Sequence, residues 1–150
     1  MSYNHSNNKN IITIDGQFKS ALIGSPIPSI LHAEDGEFLL VSQSVMDSTG
    51  YKLEEIDTLD KWVSKVHPNR KEYNSKFIMN NFNKGVQLQG EEEIVIISNG
   101  EVKMWAFYNS NIGILQDGRK LIMTNCIDMT ETRNRETLNK KLLDLSLIHI

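Results

Sequence analysis

Cysteine, proline and long apolar runs are all scarce in this sequence of 150 residues. Cys126 is the only cysteine, so no intrachain disulfide forms and a reducing compartment is the simpler expectation. No apolar stretch is long enough to cross a bilayer. Residues 1–10 are polar and Asn-rich, without the basic-then-apolar order of a signal peptide, so the chain reads as cytoplasmic and without direct membrane contact. Charge of one sign is lacking too. The formal net charge is -3, with lysines and arginines dispersed among acidic residues, which leaves no basic footprint for nucleic acid. His5, His32, His67 and His149 lie far apart, with none of the short spacings that make a metal site visible in a sequence.

What remains is ordinary for one globular domain: 39% hydrophobic and 23% charged residues. Residues 1–17 read as a flexible leader, 18–128 as the folded domain and 129–150 as a C-terminal linker helix. Phe18, Leu22 and Ile23 suggest a short amphipathic turn closed by Gly24. Two apolar runs, 29–33 and 37–42, flank Asp35-Gly36 as a hairpin, with Phe38 and Leu40 facing one way. Three short helical pieces follow, around Val45 and Met46, around Leu53 and Ile56, and around Trp62, Val63 and Val66. Pro68 suits the first position of a longer helix that would carry Tyr73, Phe77, Ile78 and Phe82 inward and end at Gly85.

The chain then turns to β structure. Asn99-Gly100 and Asp117-Gly118 punctuate three strands, and Asp128 with Glu131 three residues later marks a helix start of the capping-box type. The order is not a βαβ alternation. It predicts an α+β domain: a five-stranded antiparallel sheet with helices on one face and flanking helices at both ends.

If Asn99-Gly100 is a two-residue turn, Ile97 faces Val102, Val95 faces Met104 and Ile94 faces Trp105. One face of the hairpin then carries Ile94, Ile96, Trp105 and Phe107, and the other Val95, Ile97, Val102, Met104 and Ala106. A sheet with one solvated face alternates apolar and polar residues, and this pair does not. The expectation is an outer face covered by a helix or a second subunit. Cross-strand aromatic packing on a half-exposed face is the alternative.

With these elements placed, the chain resembles a PAS domain, a sensory-box module of bacterial-type signalling proteins. The resemblance rests on Asp35-Gly36-Glu37, on the segment 41–51 with Thr49-Gly50-Tyr51, on His67-Pro68-Asn69 before the long helix, and on Ile127-Asp128-Met129-Thr130-Glu131. Ser42 and Asn69 depart from the family pattern, where Asn and Asp are common, yet both stay short and polar. The resemblance implies a regulatory, non-catalytic module with a small ligand held between sheet and helices. Wall candidates are Leu31, Leu40, Met46, Phe77 and Met104, each equally explained as core. It also implies that a change in the domain passes to an effector through the junction of Asp128, Thr130 and Glu131.

A cofactor-bearing haem or flavin sensor is the alternative within that fold. The sequence gives it little: residues 71–83 contain no histidine, His67 stands before Pro68, and Asn125-Cys126-Ile127 lies in a strand without a following arginine. Cys126 reads as a small buried hydrophobe and His67 as a backbone-bonded histidine. No cofactor and no metal are expected. A small α+β enzyme is a third reading, and no catalytic residue suggests itself. Leu138, Leu142 and Leu145 recur at four and three residues, the a/d spacing of a coiled coil, widened by Leu143 and Leu147. That stripe, with the hairpin face of Ile94, Ile96, Trp105 and Phe107, suggests a homodimer. The helix packed back on its own sheet is the other reading. Because the sequence stops inside this helix, the chain is expected to be cut from a longer protein, such as a sensor histidine kinase or a diguanylate cyclase.

Overall fold

The computed structural model describes residues 11–67 and 88–148. Helix α1 (Gly16–Ile23) is started by Asp15, whose carboxylate accepts the Phe18 N–H at 2.8 Å, and ends at Gly24. Strands β1 (Ser29–Ala33) and β2 (Phe38–Val41) follow, then α2 (Gln43–Thr49), α3 (Leu53–Ile56) and α4 (Leu59–Val66). After these come β3 (Gln89–Ile96), β4 (Val102–Ile114), β5 (Lys120–Asp128) and α5 (Thr130–Ile148). The expected helix from Pro68 to Gly85, and Phe77 with it, lies outside the described residues.

The strands form one antiparallel sheet in the order β2-β1-β5-β4-β3. Its inner face bears Ile30, Val95, Trp105, Phe107 and Cys126, packed against Val45, Ile56, Trp62, Val63 and Val66 of α2, α3 and α4. The opposite, outer face is covered at the β1 and β5 end by α1. There Leu22 meets Leu31 and Leu121, with Ile12, Ile14 and Phe18 alongside. Packing of the domain therefore begins within residues 11–17, which the sequence assigned to the leader: Ile11 bridges Ile114 in parallel, and the Ile12 N–H donates to Ile114 O.

Two registers differ from expectation, each by one residue. The β3 to β4 connection is a three-residue loop: Ile97 pairs with Glu101, the Gly100 N–H reaches Ile97 O, and Gly100 sits at φ 87°. That is a tight turn followed by a left-handed glycine, not a two-residue turn. The pairs become Ile94 with Met104, Val95 with Lys103 and Glu93 with Trp105. A slip of one residue exchanges faces. Trp105 and Phe107 belong to the inner core with Val95, while Ile94 and Ile96 share the outer face with Val102 and Met104.

In the first hairpin, Leu31 pairs with Leu40 and His32 with Phe38, leaving Leu39 as a bulge. The extra residue turns Phe38 to the inner cluster and Leu40 to the outer one, so they do not face one way. At this end of the sheet Arg119 clamps the two turns together, meeting Asp35, Glu37 and Asp117. Those three carboxylates, Asp117 foremost, raise its already high pKa.

Candidate functional site

The sheet hands over to α5 at one residue of β4. The ladder between β4 and β5 runs as far as the pair Trp105 and Asp128. One step further, the Met129 N–H donates to Met104 O at 2.7 Å, and the Met104 N–H donates to Thr130 Oγ1 at 2.8 Å. The threonine hydroxyl thus stands in for the next strand carbonyl while the backbone is already turning into a helix. Asp128 accepts the Thr130 N–H at 2.9 Å, a turn two residues long, so it tightens the corner. The reciprocal capping box does not form: Glu131 pairs instead with Arg135 at 2.7 Å, and the Arg133 N–H takes the Met129 carbonyl. Continuation of β5 through Asp128 moves the cap position on to Met129.

A second fastening lies one turn along. Arg133 grips the Glu92 carboxylate with two bonds, 2.6 and 2.7 Å, and also meets Glu136 at 2.7 Å. The hydrogen bond from Arg133 holds the Glu92 carboxyl below its ordinary range. Sequence reasoning missed Glu92 and Arg133, because their pairing depends on the β3 register and on the direction in which α5 leaves.

Strand β3 is last in the sheet order, and side chains take two of its outward carbonyls. His67 Nδ1, at the end of α4, bonds Ile94 O at 2.8 Å, and the Tyr51 hydroxyl donates to Ile96 O at 2.9 Å. The His67 ring lies edge-on to Trp62 and tilted against Phe107.

Beyond the junction α5 leaves the sheet. Leu138, Leu142, Leu143 and Leu145 are all more than half exposed, so they do not pack back on the domain. Beside the root of the helix, the outer face of β3, β4 and β5 shows Ile94, Val102 and Ile127, between 44% and 61% exposed. This apolar strip is the part of the outer face that α1 leaves open.

The ligand-wall candidates do not gather. Leu31 and Leu40 pack in the outer cluster under α1, and Met104 alternates with the inward Trp105 and so also faces outward. Met46 alone of the described candidates borders the inner cluster. Cys126 is 1% exposed there, and burial pushes its thiol up to about 12, the opposite of an activated nucleophile. A strand cysteine packed in this way does not fit the helical cysteine that forms a flavin adduct. Among the described residues no group of three or more His, Cys, Asp or Glu is placed to hold a metal ion, and no helix is long and apolar enough to cross a membrane.

Two inner-face features went unforeseen. His32, in the middle of β1, lies between Thr124 Oγ1 at 2.8 Å and Ala33 O at 3.1 Å, and burial lowers its pKa to about 4. The Trp105 indole N–H is buried and finds no hydrogen-bond partner among the described residues.

Solved structures share this architecture. The PAS domain of BvgS from Bordetella pertussis is 21% identical, with a TM-score of 0.61 over 87% of this chain and 94% of that one. The chain has the fold of a PAS domain. The N-terminal domain of a diguanylate cyclase with a PAS/PAC sensor from Marinobacter aquaeolei matches at 11% identity and TM-score 0.59, over 71% of this chain and 98% of that one. An RNA-binding light-oxygen-voltage receptor matches at 14% and 0.66, over 89% of this chain but 38% of its own length. No family model and no curated protein matches the sequence. In PAS terms, α5 is the helix that follows the last strand, and β3 stands at one end of the sheet order.

Proposed function

We propose that this chain is a sensory PAS module that pairs as a homodimer and relays a ligand- or partner-induced change through α5. The effector would lie in the same polypeptide, of the sensor histidine kinase or diguanylate cyclase kind, in the cytoplasm. The module itself is regulatory, not catalytic. The observation that carries this reading is the contrast within α5: its first turn is fastened to β4 and β3, while its leucines stand free. Exposed leucines at heptad spacing call for a partner that takes them out of water. An identical helix supplies the matching seam, and the apolar strip of Ile94, Val102 and Ile127 extends the contact onto the sheet. The change relayed would be a shift between two packings of the paired helices, biased by whatever the domain binds.

The test uses Leu142→Cys, since the one native cysteine is buried. Oxidation should give a covalent dimer, and light scattering of the unaltered chain should give twice its mass at micromolar concentration. Leu142→Asp with Leu145→Asp should return a monomer that keeps its fold. A chain that stays monomeric at every accessible concentration, with no cross-link, would sink the reading. Native mass spectrometry of the same sample reports a bound small molecule, and visible absorbance would favour the haem or flavin alternative.

A further inference from the structure

Two paths run from the inner helices to the root of α5, and both pass through Ile94: one crosses to Met104, a cross-strand neighbour that shares no backbone hydrogen bond with Ile94, and the other follows the strand. Along the first, His67 Nδ1 bonds Ile94 O, Ile94 is the cross-strand partner of Met104, and Met104 holds Met129 and Thr130 through its own N–H and carbonyl. This path crosses the sheet at right angles to the strands, in a single rank. Along the second, β3 itself connects Ile94 to Glu92, about 7 Å away, and Glu92 holds Arg133. Ile94 turns its backbone groups away from β4, because Met104 spends its own on α5; that is why its carbonyl is free for His67.

We propose that β3 is a lever that couples the end of α4 to α5, gripped by His67 at Ile94 on one side and delivering to α5 through Met104 and Glu92 on the other. His67, Glu92 and Arg133 are positioning residues in this device. Movement of α4 that draws on His67 shifts the edge strand. The shift loosens or tightens the first turn of α5 at both fastenings together. A strand suits the task because its ladder to β4 makes residues 92–96 move as one body, and an edge strand is held by a neighbouring strand on one side only. The inference rests on the reading of α5 as the output element, and supplies the input that reading leaves unnamed.

The experiment is amide hydrogen exchange on the whole chain, read at residues 131–135 of α5. His67→Phe keeps a ring against Trp62 and Phe107 but removes the donor to Ile94. It should speed exchange in α5 several-fold. In a background carrying Arg133→Gln and Thr130→Val, where the Glu92 fastening and the Thr130 half of the Met104 fastening are cut and only the Met129 backbone bond remains, the same substitution should add much less. An equal factor in both backgrounds, or faster exchange confined to β3, would overturn the lever. Should H67F fold poorly, Tyr51→Phe, which removes the hydroxyl bonded to Ile96 O, carries the same comparison. Because the readout lies within one chain, coupling that persists without dimer cross-linking would leave the lever standing and remove the relay through a paired helix. Cross-linking without coupling would do the reverse.

Discussion

Thr130 Oγ1 accepts the backbone N–H of Met104 at 2.8 Å, so a side chain completes the last rung of the β4 to β5 ladder. Thr130→Val is nearly isosteric and leaves that half-buried N–H without a partner. The expected cost is about 1–3 kcal/mol in urea unfolding, the range for an orphaned donor. Thr130→Ser, which keeps the oxygen, should recover most of it. A larger loss in Thr130→Ser than in Thr130→Val would place the effect in the methyl group and not in the hydrogen bond.

Stability should fall on mild acidification through His32. Its pKa is lowered from 6.5 to about 4 by burial, so between those values the unfolded chain binds a proton that the folded chain refuses. The sign follows directly: full stability holds above pH 6.5, is lost progressively as the pH drops toward 4, and amounts to about 3 kcal/mol. Urea midpoints from pH 7.5 to 4, compared with those of His32→Gln, isolate the contribution. A parallel pair of curves would refute it.

Gly50 closes α2 at φ 75°, and a Cβ there would run into the Ser98 hydroxyl. Gly50→Ala should therefore destabilise by two separable amounts, a left-handed backbone strain of about 1 kcal/mol and the steric conflict. Adding Ser98→Ala should remove the second and leave the first. If the double variant is no better than the single one, Ser98 is not the obstacle.

Trp105→Phe tests the unpartnered indole. Truncating a core aromatic creates a cavity, but here it also removes a buried N–H whose lack of a partner costs about 1–3 kcal/mol. The net loss in thermal or urea unfolding should be smaller than that of Trp62→Phe, a neighbouring core tryptophan. A larger loss at position 105 would mean that the N–H has a partner in solution, and native mass spectrometry of both variants would identify a bound molecule.

Much of the fold was legible because turn chemistry is local. Asp35-Gly36 and Asp117-Gly118 mark hairpins wherever they fall, and Gly50 ends α2 with the same left-handed backbone. Faces were less legible. A strand's period of two makes every side assignment hinge on a single residue, and both the loop at Ser98-Asn99-Gly100 and the bulge at Leu39 added one. Hence a two-residue turn puts Trp105 and Phe107 on the wrong side of the sheet, while Leu31, Leu40 and Met104, wall candidates that read equally as core, lie on the outer face. At the junction, Thr130 and Asp128 could be picked out because the bond between them spans two residues, whereas the bond from Met104 to Thr130 spans 26 and was not legible. Glu92 and Arg133 could not, since they lie 41 positions apart and meet only through the register.

The capped margin of β3 also decides how this molecule can fail. A bare strand edge is a template that any extended chain can copy, the first step toward fibrous stacking. Here Tyr51 and His67 occupy the carbonyls of Ile96 and Ile94, and Glu91 adds negative charge beyond them while Glu92 is paired with Arg133. Crowded or partly opened copies are thus discouraged from growing sideways into larger sheets along the stretch these groups cover.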